Sequence, residues 1–243
     1  MKCFLLLLLL GSAAFPLRAD ELTGPEILAE VRMRLPVEPV SLEGFLRTRE
    51  GRRNVDRRLR SQFRFGDALP SMSIALYDLA GDPVTEARIV WLERQARVWL
   101  LDADGEPVEE ALPADGVADT GLTWSDLSLD FLWWPGAVLT GRERVRTRSS
   151  HVLRVPAPPD RPDVSAVRLW VDTAALFVVR AEVLGPDGEP LRRIDVDSLV
   201  ELPDGEWMVK DLLIRDHLNQ RRMGIRFETV EVGETAPENP PSP

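Results

Sequence analysis

From Val40 onward the apolar residues of this chain fall mostly at every second position. Val167, Leu169 and Val171 alternate with Arg168, Trp170 and Asp172. Phe177, Val179, Ala181 and Val183 alternate with Val178, Arg180 and Glu182, and Ile194, Val196 and Val200 with Asp195, Asp197 and Glu201. Met223, Ile225 and Phe227 alternate with Arg222, Arg226 and Glu228, and two β-rich runs, Ile89–Leu92 and Val98–Leu101, stand close together. Successive side chains on a strand point to opposite faces, so each segment carries one apolar and one polar face. The joints are Asp104-Gly105, Asp187-Gly188, Asp204-Gly205 and Ala80-Gly81-Asp82-Pro83. Asp-Gly supplies the positive φ that tight hairpins require. Strands recur about every 10 to 15 residues with no helix-length segment between most of them, which predicts an antiparallel meander of about nine to eleven strands, curled into a barrel or a strongly bent sheet.

Two segments depart from this period. Thr23-Gly-Pro-Glu26 is a capping-box pattern with proline in the first turn, and Leu28, Val31 and Leu35 follow at helical spacing. A short amphipathic helix is expected from about Pro25 to Arg34, ended by Pro36 and Pro39. In Thr123–Pro135, Trp124, Leu127, Phe131 and Trp134 fall at i, i+3, i+7 and i+10, Thr123 and Asp126 form a second capping box, and Pro135 stops the run. This predicts one aromatic amphipathic helix inserted between the two halves of the meander. Two readings fit it. The helix plugs a curved sheet as core, or it is a lid over an apolar pocket that opens for an acyl chain.

Met1-Lys2, the apolar run Phe4–Leu10 and the small residues Gly11–Ala14 follow the order of a secretory signal. The run is shorter than a membrane span needs. Cleavage after Ala19 leaves Asp20 first; cleavage after Ala14 leaves Phe15 and fits the small-residue rule better. The reading is a signal peptide over 1–19, with a retained anchor as the alternative. The single cysteine, Cys3, precedes the apolar run, so lipidation at a cleavage site is not expected, and the exported chain has neither disulfide nor thiol nucleophile. Of 30 basic and 40 acidic residues, Lys2 and Arg18 leave with the signal, so 28 remain against 40, a net charge of −12. That opposes nonspecific binding to nucleic acid or to an anionic membrane. The expectation is a soluble periplasmic monomer occupying 20–232, followed by a proline-rich disordered tail over 233–243.

No nucleophile elbow, zinc-binding helix or phosphate loop is present. His151 and His217 are far apart in sequence and read as ordinary strand and loop residues. Asp102-Ala-Asp104-Gly105-Glu106 lacks the spacing of a calcium loop and reads as a hairpin turn. Asp195 and Asp197 share a strand face and could pair as acid and base, although an exposed polar face accounts for both. No catalytic residue, metal ligand or cofactor is expected.

The order of parts, together with Trp124-Ser-Asp-Leu, Asp130-Phe-Leu-Trp-Trp-Pro135, Val167–Asp172, Leu176–Glu182, Gly185–Arg192 and Asp204–Asp211, resembles the outer-membrane lipoprotein-sorting, LolA/LolB-like proteins. The resemblance covers roughly residues 24–232 and implies a half-open antiparallel barrel of about eleven strands, closed by helices over an apolar cavity. It also implies a carrier of lipoproteins or other lipids across the periplasm toward the outer membrane, with an inner-membrane transporter as a possible partner. Lid and cavity would then be built from Trp124, Leu127, Phe131 and Trp134, with Leu28 and Val31. The rival readings are an exported interaction module serving a membrane transport system, and a hydrolase acting through carboxylates.

Overall fold

The computed structural model describes residues 22–93, 95–202 and 207–233. The expected signal segment, the Asp204-Gly205 joint and the tail beyond Gly233 lie outside the described residues. Helix α1 spans Gly24–Met33 and is followed by β1 Val40–Glu50, β2 Arg53–Arg64, β3 Ser71–Tyr77, β4 Pro83–Leu92, β5 Gln95–Leu101 and β6 Pro107–Ala111. A crossover then holds α2 Trp124–Ser128 and a 3-10 turn, Asp130–Leu132. The second half comprises β7 Val138–Val145, β8 Arg148–Pro156, β9 Ala166–Asp172, β10 Val178–Leu184, β11 Pro190–Glu201, β12 Trp207–Asp216 and β13 Arg221–Val232.

All thirteen strands form one open sheet in the order β6-β5-β4-β3-β2-β1-β13-β12-β11-β10-β9-β8-β7. Every pairing is antiparallel. The fold is therefore the half-open antiparallel barrel expected from the sequence, made of two meanders sewn together where β1 pairs with β13, Val40 opposite Val232. The expected nine to eleven strands become thirteen. The additional ones include the two edges, β6 and β7, which are mostly exposed and so carry no alternating apolar signature. Polar edges are what an open sheet needs to discourage pairing with other chains.

One face of the sheet holds the main core. Leu42 and Leu46 of β1, Leu59 of β2, Ile89 of β4, Leu169 of β9 and Met223 of β13 are buried there with α1 and the crossover. A smaller cluster of Val145, Val152, Trp170 and Val179, with Phe177 against it, is separate from this core. It corrects the simple alternation read for β10. Val178 pairs with Val171 but Arg180 pairs with Trp170, so the register slips at Val179. Such a bulge turns the following residues over. Phe177 and Val179 join the smaller cluster, whereas Ala181 and Val183 pack on the main core.

The hairpin and capping signals have clear local causes. Asp102 accepts from the backbone N–H groups of Asp104 and Glu106, and Gly105 adopts φ +78°. The carboxylate thus closes a turn, as read. Thr23 and Glu26 cap α1, and Thr123 and Asp126 cap α2.

Candidate functional site

The crossover is the one long connection between the two meanders, and it runs from the sheet's β6 edge to its β7 edge. The single aromatic helix expected over Thr123–Pro135 is not formed. α2 closes at Leu129, which takes a left-handed φ of +49°, and the chain continues as a 3-10 turn. The break has a local cause. Asp130 turns inward to accept from the Ser125 hydroxyl and, at 3.3 Å, from the Trp134 indole N–H. Ser125 and Asp130, five residues apart, would face different sides of a straight α-helix, so their contact goes with the bend.

Despite the break, the expected residues all turn toward the main core. Trp124 (2% exposed), Phe131 (2%) and Trp134 (4%) are buried in the main core with Leu28 and Val31 of α1, and Leu127 packs partly buried against it. Trp133 completes the arrangement, stacking on Trp91 of β4 with ring centroids 4.7 Å apart and on Phe65 at 6.2 Å. Offset from the helical face read in the sequence, Trp133 drops out of any periodicity argument; only the adjacent tryptophan pair hints at it.

Two buried carboxylates fasten the crossover to the second meander. Asp126 bonds Arg192 of β11, which also reaches Asp216 of β12 at 3.4 Å and the Gly121 carbonyl at 3.1 Å. Asp130 accepts from Arg161 of the β8–β9 connection at 3.4 Å, and that guanidinium lies over the Trp134 ring at 5.7 Å. Burial pushes both carboxyls above the usual range, against the pull of these arginines and of the Thr123 and Ser125 contacts. On the other side, Arg32 of α1 donates to the Leu132 carbonyl at 2.6 Å. Gly24 permits the backbone of α1 to approach the crossover's end, since a Cβ there would stand 2.5 Å from the Ala137 oxygen. Apart from the isolated bridge Gly116–Thr123, the crossover makes no strand pairing among the described residues. It is held by side chains, stacking and capping.

None of the six residues named from the sequence lines either of the two clefts described here. A polar cleft of about 460 Å³ opens beside the crossover, between the Ala114–Thr123 loop and the ends of β1, β2, β11 and β13. A second, about 560 Å³, lies among the β7–β8 turn, Phe177, Val179, the C-terminal half of β11 and Trp207, which is 54% exposed.

Asp195 and Asp197 do not act as a pair. Asp195 is enclosed by Arg180, Arg193 and Arg215 at 2.7–3.0 Å, whereas Asp197 accepts from Arg146 at 2.6 Å. Burial alone would raise the Asp195 carboxyl, but the hydrogen bonds from Arg180 and Arg193 hold it below its ordinary value. A carboxylate so tightly paired is a poor general base. His151 is buried in β8 and His217 is exposed after β12. Among the described residues no three His, Cys, Asp or Glu side chains converge as a metal site would require.

A family model described as "Uncharacterized protein" matches residues 85–240. The chain belongs to that family. No curated protein sequence matches. The fold is similar to that of a DUF1329 family protein from Desulfovibrio piger, with a TM-score of 0.76 and 15% identity, covering 88% of this chain and 94% of that one. It is also similar to a domain named for outer membrane lipoprotein sorting from Vibrio parahaemolyticus, with a TM-score of 0.75 and 13% identity over 90% and 95% of the two chains. A LolA superfamily protein from Nitrosomonas europaea aligns with a TM-score of 0.65 and 14% identity, over 88% of this chain and 96% of that one. The LolA-like half-barrel suggested by the sequence is therefore the fold of this family member.

Proposed function

We propose that this protein is a periplasmic carrier that binds the acyl chains of lipoproteins or other lipids between its sheet and its crossover, for transfer toward the outer membrane. The observation that carries the reading is the way the inner face is covered. Its aromatic crossover is fastened by Asp126–Arg192, Asp130–Arg161 and Trp133–Trp91, not by a ladder of backbone hydrogen bonds. Side-chain fastenings can be released as a group while the thirteen-stranded frame stays intact. Displacing Trp124, Phe131 and Trp134 would uncover an apolar face, and each buried methylene of an acyl chain returns about 0.8 kcal/mol. No covalent chemistry is required, and a competing apolar surface suffices for release. The signal-like order of Met1–Ala14 supports delivery across the inner membrane, where a transporter would load the cargo.

Lipids co-purifying with the protein from a native periplasm, identified by mass spectrometry, test the proposal together with titration by a fluorescent fatty acid. Stoichiometric acyl lipid and saturable probe binding are expected. A folded protein that carries no lipid and binds no probe would favour the second reading, a non-catalytic interaction module serving a membrane transport system. The closed packing of Trp124 and Phe131 in the core favours that alternative.

A further inference from the structure

The polar cleft beside the crossover holds charges, Arg53, Arg221, Glu50 and Asp119, that the carrier reading leaves unused, alongside Arg192, which that reading uses as a fastening. Three guanidinium groups line it: Arg53 at the start of β2, Arg192 of β11 and Arg221 of β13. Glu50 and Asp119 are the carboxylates in the wall. Each is matched by an arginine, Glu50 by Arg221 at 3.1 Å and Asp119 by Arg57 at 2.6 Å. Both terminal nitrogens of Arg192 are engaged, one by Asp126 and the Gly121 carbonyl and the other by Asp216. Arg53 is exposed and forms no ion pair among the described residues, so it gives the cleft a guanidinium with all its donors available.

The roof is fixed in advance. Thr120 is fully buried; its carbonyl accepts from the Thr48 hydroxyl and its own hydroxyl donates to the Val117 carbonyl at 2.6 Å. Ala118 and Gly121 on either side hold φ values of +47° and +76°. A non-glycine residue persists there only where its surroundings dictate it. The floor is apolar, with buried Val55 and Leu122, and Leu122 leads through Thr123 to Trp124 of the crossover.

We propose that this cleft holds the phosphate group of an amphiphile whose chains pass over Leu122 toward the inner face. The assignment of the chains rests on the carrier reading; that of the phosphate rests on the cleft. A lone carboxylate would occupy one guanidinium fork. A tetrahedral group with several acceptor oxygens can engage several at once, and arginine forks match phosphate in charge and geometry.

Calorimetric titration of the purified protein separates the sources. The ligands are dihexanoyl phosphatidic acid below its critical micelle concentration, uncharged dihexanoylglycerol and inorganic phosphate. Phosphatidic acid should bind roughly tenfold more tightly than the glyceride, as expected for hydrogen bonds to a charged group. Arg53→Gln should remove most of that difference, and Arg53→Lys should restore part of it. Glu50→Gln, which releases Arg221 from its carboxylate, should change affinity the other way and tighten phosphatidic acid binding. Circular dichroism checks that each variant is folded. Equal binding of both lipids, indifferent to Arg53 and Glu50, overturns the phosphate site and leaves the carrier standing. Binding of inorganic phosphate with the same dependence on Arg53, and no binding of the glyceride, upholds the site and overturns the carrier. Binding of none of the three overturns both.

Discussion

At the scale of single residues, the charged contacts of the crossover carry more consequence than its aromatic surface suggests. Removing one partner of a buried ion pair leaves the other charge uncompensated, at about 3–5 kcal/mol. Arg192→Met strands two buried carboxylates, Asp126 and Asp216, and is expected to lower stability in urea unfolding by that amount. Phe131→Ala should cost about 3–5 kcal/mol for the lost aromatic packing and should also weaken fatty-acid probe binding. The large stability loss without any probe binding by the wild type would mark the face as core alone. The sequence exposed these positions unevenly. Trp124, Phe131 and Trp134 stand out by their spacing, whereas Asp126 reads only as a cap and nothing in the sequence marks Asp130. Their arginines lie 66 and 31 positions away, and nothing local connects such pairs.

At the scale of elements, short-range chemistry was readable and long-range geometry was not. Both capping boxes formed, because four consecutive residues contain all the atoms involved. The Asp-Gly turns within the described residues formed for the same reason. The left-handed break at Leu129 comes with side-chain contacts inside the segment that helical spacing does not anticipate, and the slip at Val179 goes with the two faces that β10 packs against. The crossover's dependence on side chains predicts its behaviour in solution. Amides of 124–132 should exchange with solvent faster than those of the paired residues of β1 and β13, the two strands joined at the seam. Hydrogen exchange read by mass spectrometry checks this, and an acyl ligand should alter protection in the crossover far more than in the two central strands.

For the whole molecule, net charge and its distribution set the response to acid. The carboxyls of Asp172, Asp195, Asp211 and Asp216 are held below their ordinary value of 3.8, where burial alone would raise them, by hydrogen bonds and neighbouring arginines. Their contribution to stability is present above 3.8 and disappears as pH falls through the lowered values. Asp126 and Asp130, raised by burial, act in the opposite sense: their contribution is full below 3.8 and fades as pH rises through the elevated values. Glu26, held low by its Thr23 contacts, joins the four lowered carboxyls against the two raised groups, and the urea midpoint should fall below about pH 4. Amino-terminal sequencing of the periplasmic protein should begin at Asp20 or, less favoured, Phe15, with no lipid attached; an intact Met1 recovered from the cytoplasm would overturn the export reading.

The seam between β1 and β13 has a temporal consequence. The strand nearest the start of the fold finds its second partner only in the strand nearest the end, from Val40 opposite Val232 to Arg49 opposite Arg222. Until Arg221–Val232 arrives, the first meander has no neighbour for β1 on that side, and the second meander ends in an unpartnered β12. Contacts so distant along the chain make folding slow, and unpaired edges invite association with other chains. The half-barrel therefore cannot be completed piecemeal as the chain emerges. Its seam closes only when the last strand arrives, so the growing chain supplies the final piece of the frame at the very end.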